Sequence, residues 1–186
     1  AGMRVARINC AKDAASVWRA MADNARRAGR ARGQPVKVAL DLCGPRARTG
    51  DVWARADRRA QVGDRVLLTA RAPEERGRQD FVVQSSLPDV LPQLEAGATV
   101  TIDEGALEAR VLDEARASAS DEVALEVVHT APRGVKMKAN KGLNFPGTHL
   151  ELDPLTRKDR RDLDAIVGLV DIIGYSFVQS ADDVLR

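Results

Sequence analysis

Apolar positions recur along this chain in two rhythms, and the switches between them divide it into three stretches. In residues 3–10, Val5 and Ile8 stand among short partners and the run ends in a polar pair, which predicts a strand. Residues 13–30 carry Val17, Trp18, Met21 and Ala25 at spacings of three and four, which predicts an amphipathic helix with Asp13 as its cap. Gly33-Gln34-Pro35 closes the link to a second strand, Val36 to Leu42, apolar enough to be buried on both faces as parallel strands are. A strand, helix and strand joined by short links form a right-handed crossover unit. From about 51 to 134 the helical rhythm disappears. Short β-like runs replace it at 65–70, 80–84, 99–102, 107–112 and 123–129, separated by Gly, Asp and Ser turns. Asp89 to Leu94 reads as one helical turn despite Pro92. Such a set of short strands predicts a small barrel, because closure removes exposed edges. Helix and strand then return. Thr156 with Asp159 three residues on is a capping-box start, and Leu163, Ile166, Val167 and Val170 extend that helix's apolar side. Val170 to Val178 predicts a third long strand, and Ser180 with Asp183 caps the start of another helix. The expected organisation is an α/β domain, residues 1–50 and 142–186, split by an inserted β-barrel domain, residues 51–141.

Composition narrows the class of protein. Among 186 residues aromatics make up 3%, so the cores must be built from Val, Leu, Ile and Ala. No apolar run is long enough for a membrane span, and no charged-then-apolar start marks a signal peptide. With two cysteines, Cys10 and Cys43, this points to free thiols and a cytoplasmic location. His129 and His149 share no metal-ligand spacing with them. Net charge is near zero, yet residues 1–60 hold 14 Lys and Arg against 5 Asp and Glu. That excess invites a phosphate or nucleic-acid reading. Against nucleic acid, Arg26, Arg27, Arg30 and Arg32 lie in Ala-rich surroundings without the interleaved aromatics on which bases stack, so a solvated Arg-rich helix surface accounts for them.

The candidate chemistry sits in short stretches near both ends. Arg7-Ile8-Asn9-Cys10 is followed by Asp41-Leu42-Cys43-Gly44-Pro45-Arg46-Ala47-Arg48-Thr49-Gly50, and later by Lys141-Gly142-Leu143-Asn144-Phe145-Pro146-Gly147 and Leu155-Thr156-Arg157-Lys158-Asp159. In order and spacing these resemble the pyruvate kinase family, whose patterns read R-x-N-[FC]-S, D-x-x-G-P-x-x-R-T-G, K-G-x-N-x-P-G and L-T-x-K-D. The resemblance covers nearly the whole chain, and Ile102-Asp103-Glu104-Gly105 is similar to the family's V-D-D-G turn. It implies part of a (β/α)8 TIM barrel, from barrel strand two to the start of helix four, with the inserted lid domain. In such barrels catalytic groups stand at the C-terminal ends of strands. By resemblance Arg7 and Arg48 would hold the transferred phosphoryl group, since a guanidinium forks onto phosphate oxygens. The alternative for them is a structural ion pair with Asp41 or a neighbouring carboxylate. Asp103 and Lys141 would contact nucleotide and metal, and an exposed turn and a surface Lys are the plainer alternative.

The departures from the pattern carry information as well. Ala11 and Lys12 stand where the family usually has Ser and His, and Leu42 replaces an oxygen donor after Asp41. Asn9 and Asp41 remain as a degenerate monovalent-cation site, and a hard cation with few oxygens is poorly held. Arg46 replaces the family's usual Glu, so its fixed charge could stand in for potassium. No role is assigned to Cys43. The family's later K-I-E and G-D-L-G patterns, which bring its catalytic Lys and Mg2+ ligands, do not occur in these residues. The implied parent is a glycolytic enzyme transferring phosphate between phosphoenolpyruvate and ADP with Mg2+. The segment alone is expected to be inactive and, with sheet edges and interior side chains uncovered, to self-associate into a homo-oligomer. The alternative is a non-catalytic module that uses Arg7, Arg46 and Arg48 to bind a phosphorylated ligand or a partner.

Overall fold

The computed structural model describes residues 2–75, 77–113 and 121–185. The chain divides into two compact units, one from residues 1–45 with 153–186 and the other from residues 46–152.

In the first unit β1 (Val5–Asn9) and β2 (Lys37–Asp41) pair in parallel, with Val5 opposite Lys37 and Asn9 opposite Asp41. Parallel neighbours need a crossover, and α1 (Ala15–Ala31) supplies it. Each strand alternates, so Ile8, Val38 and Leu40 point to one face. There Trp18 and Ala22 of α1 meet Leu155, Ile166 and Leu169 in one buried cluster. The Trp18 indole N–H is satisfied by the Lys12 carbonyl at 2.8 Å. Helix α2 (Arg157–Ile166) starts at Thr156 with both halves of the capping box formed. Lys158 from its first turn lies over the Trp18 ring at 5.4 Å and donates to the Cys10 carbonyl at 2.9 Å. Strand β10 (Ile172–Gly174) pairs with the other side of β2, giving the order β1-β2-β10. Helix α3 (Ala181–Val184) opens with the expected Ser180–Asp183 capping box.

Three expectations for this unit need correction. Asp13 does not cap α1: its backbone is left-handed at φ 63°, and Ala14 takes the cap position without a side-chain bond. The apolar side of α2 ends at Ile166, because Val167 is 76% exposed as the capping residue. The strand expected over 170–178 shrinks to three residues. β10 is an edge strand whose ladder partners lie on β2 alone, so the apolar run continues past the point where hydrogen bonding ends.

The second unit is a seven-stranded sheet in the order β3-β5-β4-β8-β7-β6-β9. Its strands are β3 (Thr49–Ala54), β4 (Arg65–Thr69), β5 (Phe81–Ser85), β6 (Thr99–Ile102), β7 (Leu107–Val111), β8 (Glu122–Thr130) and β9 (Leu143–Asn144). The sheet nearly closes. The segment before β9 returns to the start of β3 through an antiparallel bridge between Arg48 and Gly142, with Thr49 N–H on the Lys141 carbonyl at 2.8 Å and Leu143 N–H on the Ala47 carbonyl at 3.0 Å. Alternate positions such as Val66, Leu68, Phe81, Val83, Leu107 and Leu125 fill the interior. The helical turn expected at 89–94 is a 3-10 segment, Pro88–Gln93. β3 and β9 escape the period-two reading: β3 carries Gly50 and Asp51 and a register shift between Thr49 and Val52, and β9 is two residues long.

Candidate functional site

The C-terminal ends of β1 and β2 bring Arg7, Asn9 and Asp41 together. Adjacent parallel strands in register place Asn9 beside Asp41. Arg7, two residues earlier on the same face as Asn9, reaches forward and its Nε donates to Asp41 Oδ2. The guanidinium is 69% exposed, so this ion pair adds little to stability but holds a cation at the open end of the sheet. The Asp41 carboxylate lies directly over β10. A Cβ added at Gly174 would fall 2.4 Å from Asp41 Oδ1, so only glycine leaves room for the carboxylate there. Asn9 turns its Oδ1 back onto the Ala11 N–H at 2.9 Å.

The turn that follows β2 is held from below. Leu42 donates its N–H to the Gly174 carbonyl at 2.9 Å and points its side chain into the core. Cys43 and Gly44 then donate theirs to Asp159 Oδ1 at 2.9 and 3.1 Å. Asp159 is fully buried, and its other oxygen accepts from the Thr156 N–H at 3.0 Å and from the Thr156 hydroxyl. Gly44 is left-handed at φ 67°, and the Phe177 ring occupies the place where its Cβ would be. Cys10, beneath this end of the sheet, is buried, and desolvation, reinforced by the charge of Asp162, pushes its thiol up to about 12. It is therefore an inert thiol at neutral pH.

In the second unit the strand return near residue 140 gathers a second group. Thr49 is buried, and its hydroxyl donates to the Lys138 carbonyl at 2.7 Å while accepting the Lys141 N–H at 2.8 Å. Arg48 donates through Nη1 to the Asn140 carbonyl at 3.0 Å, and Asn140 is itself left-handed at φ 63°. Lys141 Nζ pairs with Asp103 Oδ1 at 3.0 Å, each side chain about one-third exposed. Asp103 and Glu104 both have positive φ, 57° and 58°, an uncommon pair for non-glycine residues and a mark of a constrained turn. Thus Arg7 meets Asp41, and Lys141 meets Asp103. Arg46 is exposed.

These residues do not fit a monovalent cation. The two oxygen donors left by the sequence are both engaged, Asn9 by a backbone N–H and Asp41 by a guanidinium, and Leu42 offers a buried aliphatic group. Among the described residues no group of three or more His, Cys, Asp or Glu could hold a metal ion, and no helix is long and apolar enough to cross a membrane. The sequence reading missed Gly174 and the long-range role of Asp159. The signal for Asp159 was present, since Thr156–Asp159 reads as a cap, but the second oxygen's partners lie more than a hundred residues away.

Comparison with known proteins agrees with the architecture. The family model described as pyruvate kinase, barrel domain, matches residues 1–186. The chain is 28% identical to a pyruvate kinase of Kluyveromyces lactis, over all of this chain and 36% of that protein. It is 30% identical to a pyruvate kinase of Geobacillus stearothermophilus, over all of this chain and 30% of that one. The crystal structure of a pyruvate kinase from Cryptosporidium parvum superposes with a TM-score of 0.80 at 29% identity, covering 99% of this chain and 36% of that one. The chain therefore spans about a third of the length of the curated relatives it matches.

Proposed function

The chain belongs to the pyruvate kinase family, and from that premise we propose that it carries part of the site at which a larger enzyme moves phosphate from phosphoenolpyruvate to ADP. The first unit is read as a segment of a (β/α)8 barrel and the second as its inserted lid. The observation that carries the proposal is Arg7, an exposed guanidinium at the C-terminal ends of two parallel strands. Barrels of this kind hold their catalytic groups there. Arg7 in the first unit and Arg48 in the second are each read as phosphate contacts, made through forked, charge-assisted hydrogen bonds. For each, binding means exchanging its present partner, Asp41 or the Asn140 carbonyl, for phosphate oxygens. Lys141, released from Asp103, contacts the nucleotide phosphates.

Phosphoryl transfer depends chiefly on positioning and on cations that stabilise the charge of the transition state. These 186 residues contain neither the K-I-E nor the G-D-L-G pattern, so the Mg2+ of the family reaction has no ligand set here and the isolated chain does not turn over. The residues likewise disfavour a potassium site, and Arg46 supplies a fixed positive charge in that stretch. A coupled lactate dehydrogenase assay tests the reading. The isolated chain gives background rates with Mg2+, and an enzyme containing it works equally in potassium and sodium. Turnover proportional to the concentration of the isolated chain, or a many-fold potassium activation of the larger enzyme, would contradict it.

A further inference from the structure

Asp159 does more than cap a helix. A capping box uses one side-chain acceptor of the residue at its third position, to receive the N–H of the cap residue. Asp159 Oδ2 performs that task for Thr156. The capping motif leaves Oδ1 without an assignment, and here it receives two backbone N–H groups in succession, from Cys43 and Gly44, 116 and 115 residues away in sequence. The carboxylate has no exposed surface. A buried carboxylate is costly unless its lone pairs are met, and these three bonds together with the one from the Thr156 hydroxyl meet them. The arrangement is a small anion-binding concavity, two consecutive N–H groups ending in a left-handed Gly44, filled by an anion from the protein's own chain.

The place of this concavity gives it consequence. The β1-β2-β10 ladder fixes the chain as far as Leu42, whose N–H is the last to bond β10. Beyond it, the Cys43 and Gly44 N–H groups of the turn are held by Asp159. We propose that Asp159 is a positioning residue: through the Cys43–Gly44 turn it fixes the end of β2 that presents Asp41 to Arg7, and so sets the geometry of the phosphate-binding end of the sheet. The link to phosphate rests on the function proposed above; the fixing of the turn does not.

The test separates the two. Amide hydrogen exchange is measured on the 15N-labelled chain. In the wild type the Cys43 and Gly44 amides are protected like those of the β2 core. Exchange as fast as in an unstructured peptide would overturn the proposal without any variant. Asp159→Asn keeps the size but presents an NH2 to one side; it speeds exchange at Cys43 and Gly44 at least about tenfold beyond the change at Leu40 and moves the Arg7 Nε–H signal. Thr156→Ala removes the hydroxyl half of the cap and frays the first turn of α2 with Cys43, Gly44 and Arg7 unmoved. Equal effects of the two variants at Cys43 and Gly44 would reduce Asp159 to a cap and overturn the proposal. Phosphoenolpyruvate is then titrated. Binding at least about tenfold weaker in Asp159→Asn and unchanged in Thr156→Ala supports the full proposal. Equal binding by the wild type and Asp159→Asn overturns the link to phosphate. No binding by the wild type overturns the reading of function, while the exchange data still decide whether the turn is fixed by Asp159.

Discussion

Gly174→Ala probes the site through a single methyl group. The new Cβ would stand 2.4 Å from Asp41 Oδ1, closer than real Cβ contacts come, and 3.1 Å from Cγ, tighter than most of them, while the distance to the Asp41 Cα, 3.4 Å, is ordinary. The backbone has no need to move; the carboxylate must. Forcing an extra methyl into an occupied place costs about 1–3 kcal/mol, and the lower half applies because the obstructing group is a side-chain end with one face towards solvent. Loss of the Arg7–Asp41 pair adds less than about 1 kcal/mol, since the guanidinium is largely exposed. Removing glycine from the unfolded chain returns about 0.4–1 kcal/mol. The net expectation is a destabilisation of about 0.5–2 kcal/mol. The assay is urea unfolding followed by Trp18 fluorescence in a Trp53→Phe background, because Trp18 is buried in the first unit and Trp53 lies on β3 of the second. The Arg7 Nε–H signal, recorded alongside, moves towards that of a free guanidinium. Unchanged stability together with an unmoved Arg7 signal would refute the close approach and the pairing built on it.

Other outcomes follow from separate parts of the molecule. Arg58 bonds both oxygens of Asp64 at 2.9 and 3.0 Å, reaches Asp80 at 2.8 Å and lies 5.3 Å from the Phe81 ring centre; Arg58→Ala leaves two neighbouring carboxylates without their cation and destabilises the second unit by about 2–4 kcal/mol in urea unfolding, and a loss under about 0.5 kcal/mol would show the network to be ornamental. A thiol reagent at pH 8 modifies Cys43 promptly and Cys10 only on unfolding. Because the Cys10 thiol in the folded chain is raised from 9.0 to about 12, its contribution to stability is complete below pH 9 and declines as pH rises towards 12; a Cys10→Ala variant with the same alkaline unfolding curve would exclude it as the cause. Ile172, Ile173, Phe177 and Val178 are each more than 40% exposed in the first unit, so sedimentation at micromolar concentration shows self-association that Ile173→Asp weakens, and a monomer at all concentrations would contradict it.

Much of the fold was legible because its signals are local. The alternation in 99–102, 107–112 and 123–129 and the capping boxes at Thr156 and Ser180 depend on neighbours a few residues away, and each has its element in the structure. What escaped depends on distant partners. Asp13 is an ordinary cap residue by type, but its left-handed backbone cannot take the extended cap conformation. The run 170–178 has strand composition throughout, yet a ladder lasts only as long as a neighbour does, and β2 pairs with only three of its residues. At the site, an ion pair with Asp41 stood only as the alternative to phosphate binding for Arg7 and Arg48, and Lys141 and Asp103 were separate features; that the last two pair with each other follows from the return of the chain at residue 142 to the Asp103 N–H, 3.0 Å away.

The claim most in need of test is that the exposed guanidinium at the end of β1 is a phosphate site. Phosphoenolpyruvate is titrated into the chain and into Arg7→Lys, which keeps the charge and loses the fork, while the backbone and arginine side-chain signals are followed. The account predicts saturable binding in roughly the millimolar range, shifts centred on Arg7, Asn9 and Asp41, and a loss of at least about tenfold in Arg7→Lys. Binding of equal strength in the two proteins, or shifts that leave the ends of β1 and β2 untouched, would contradict it.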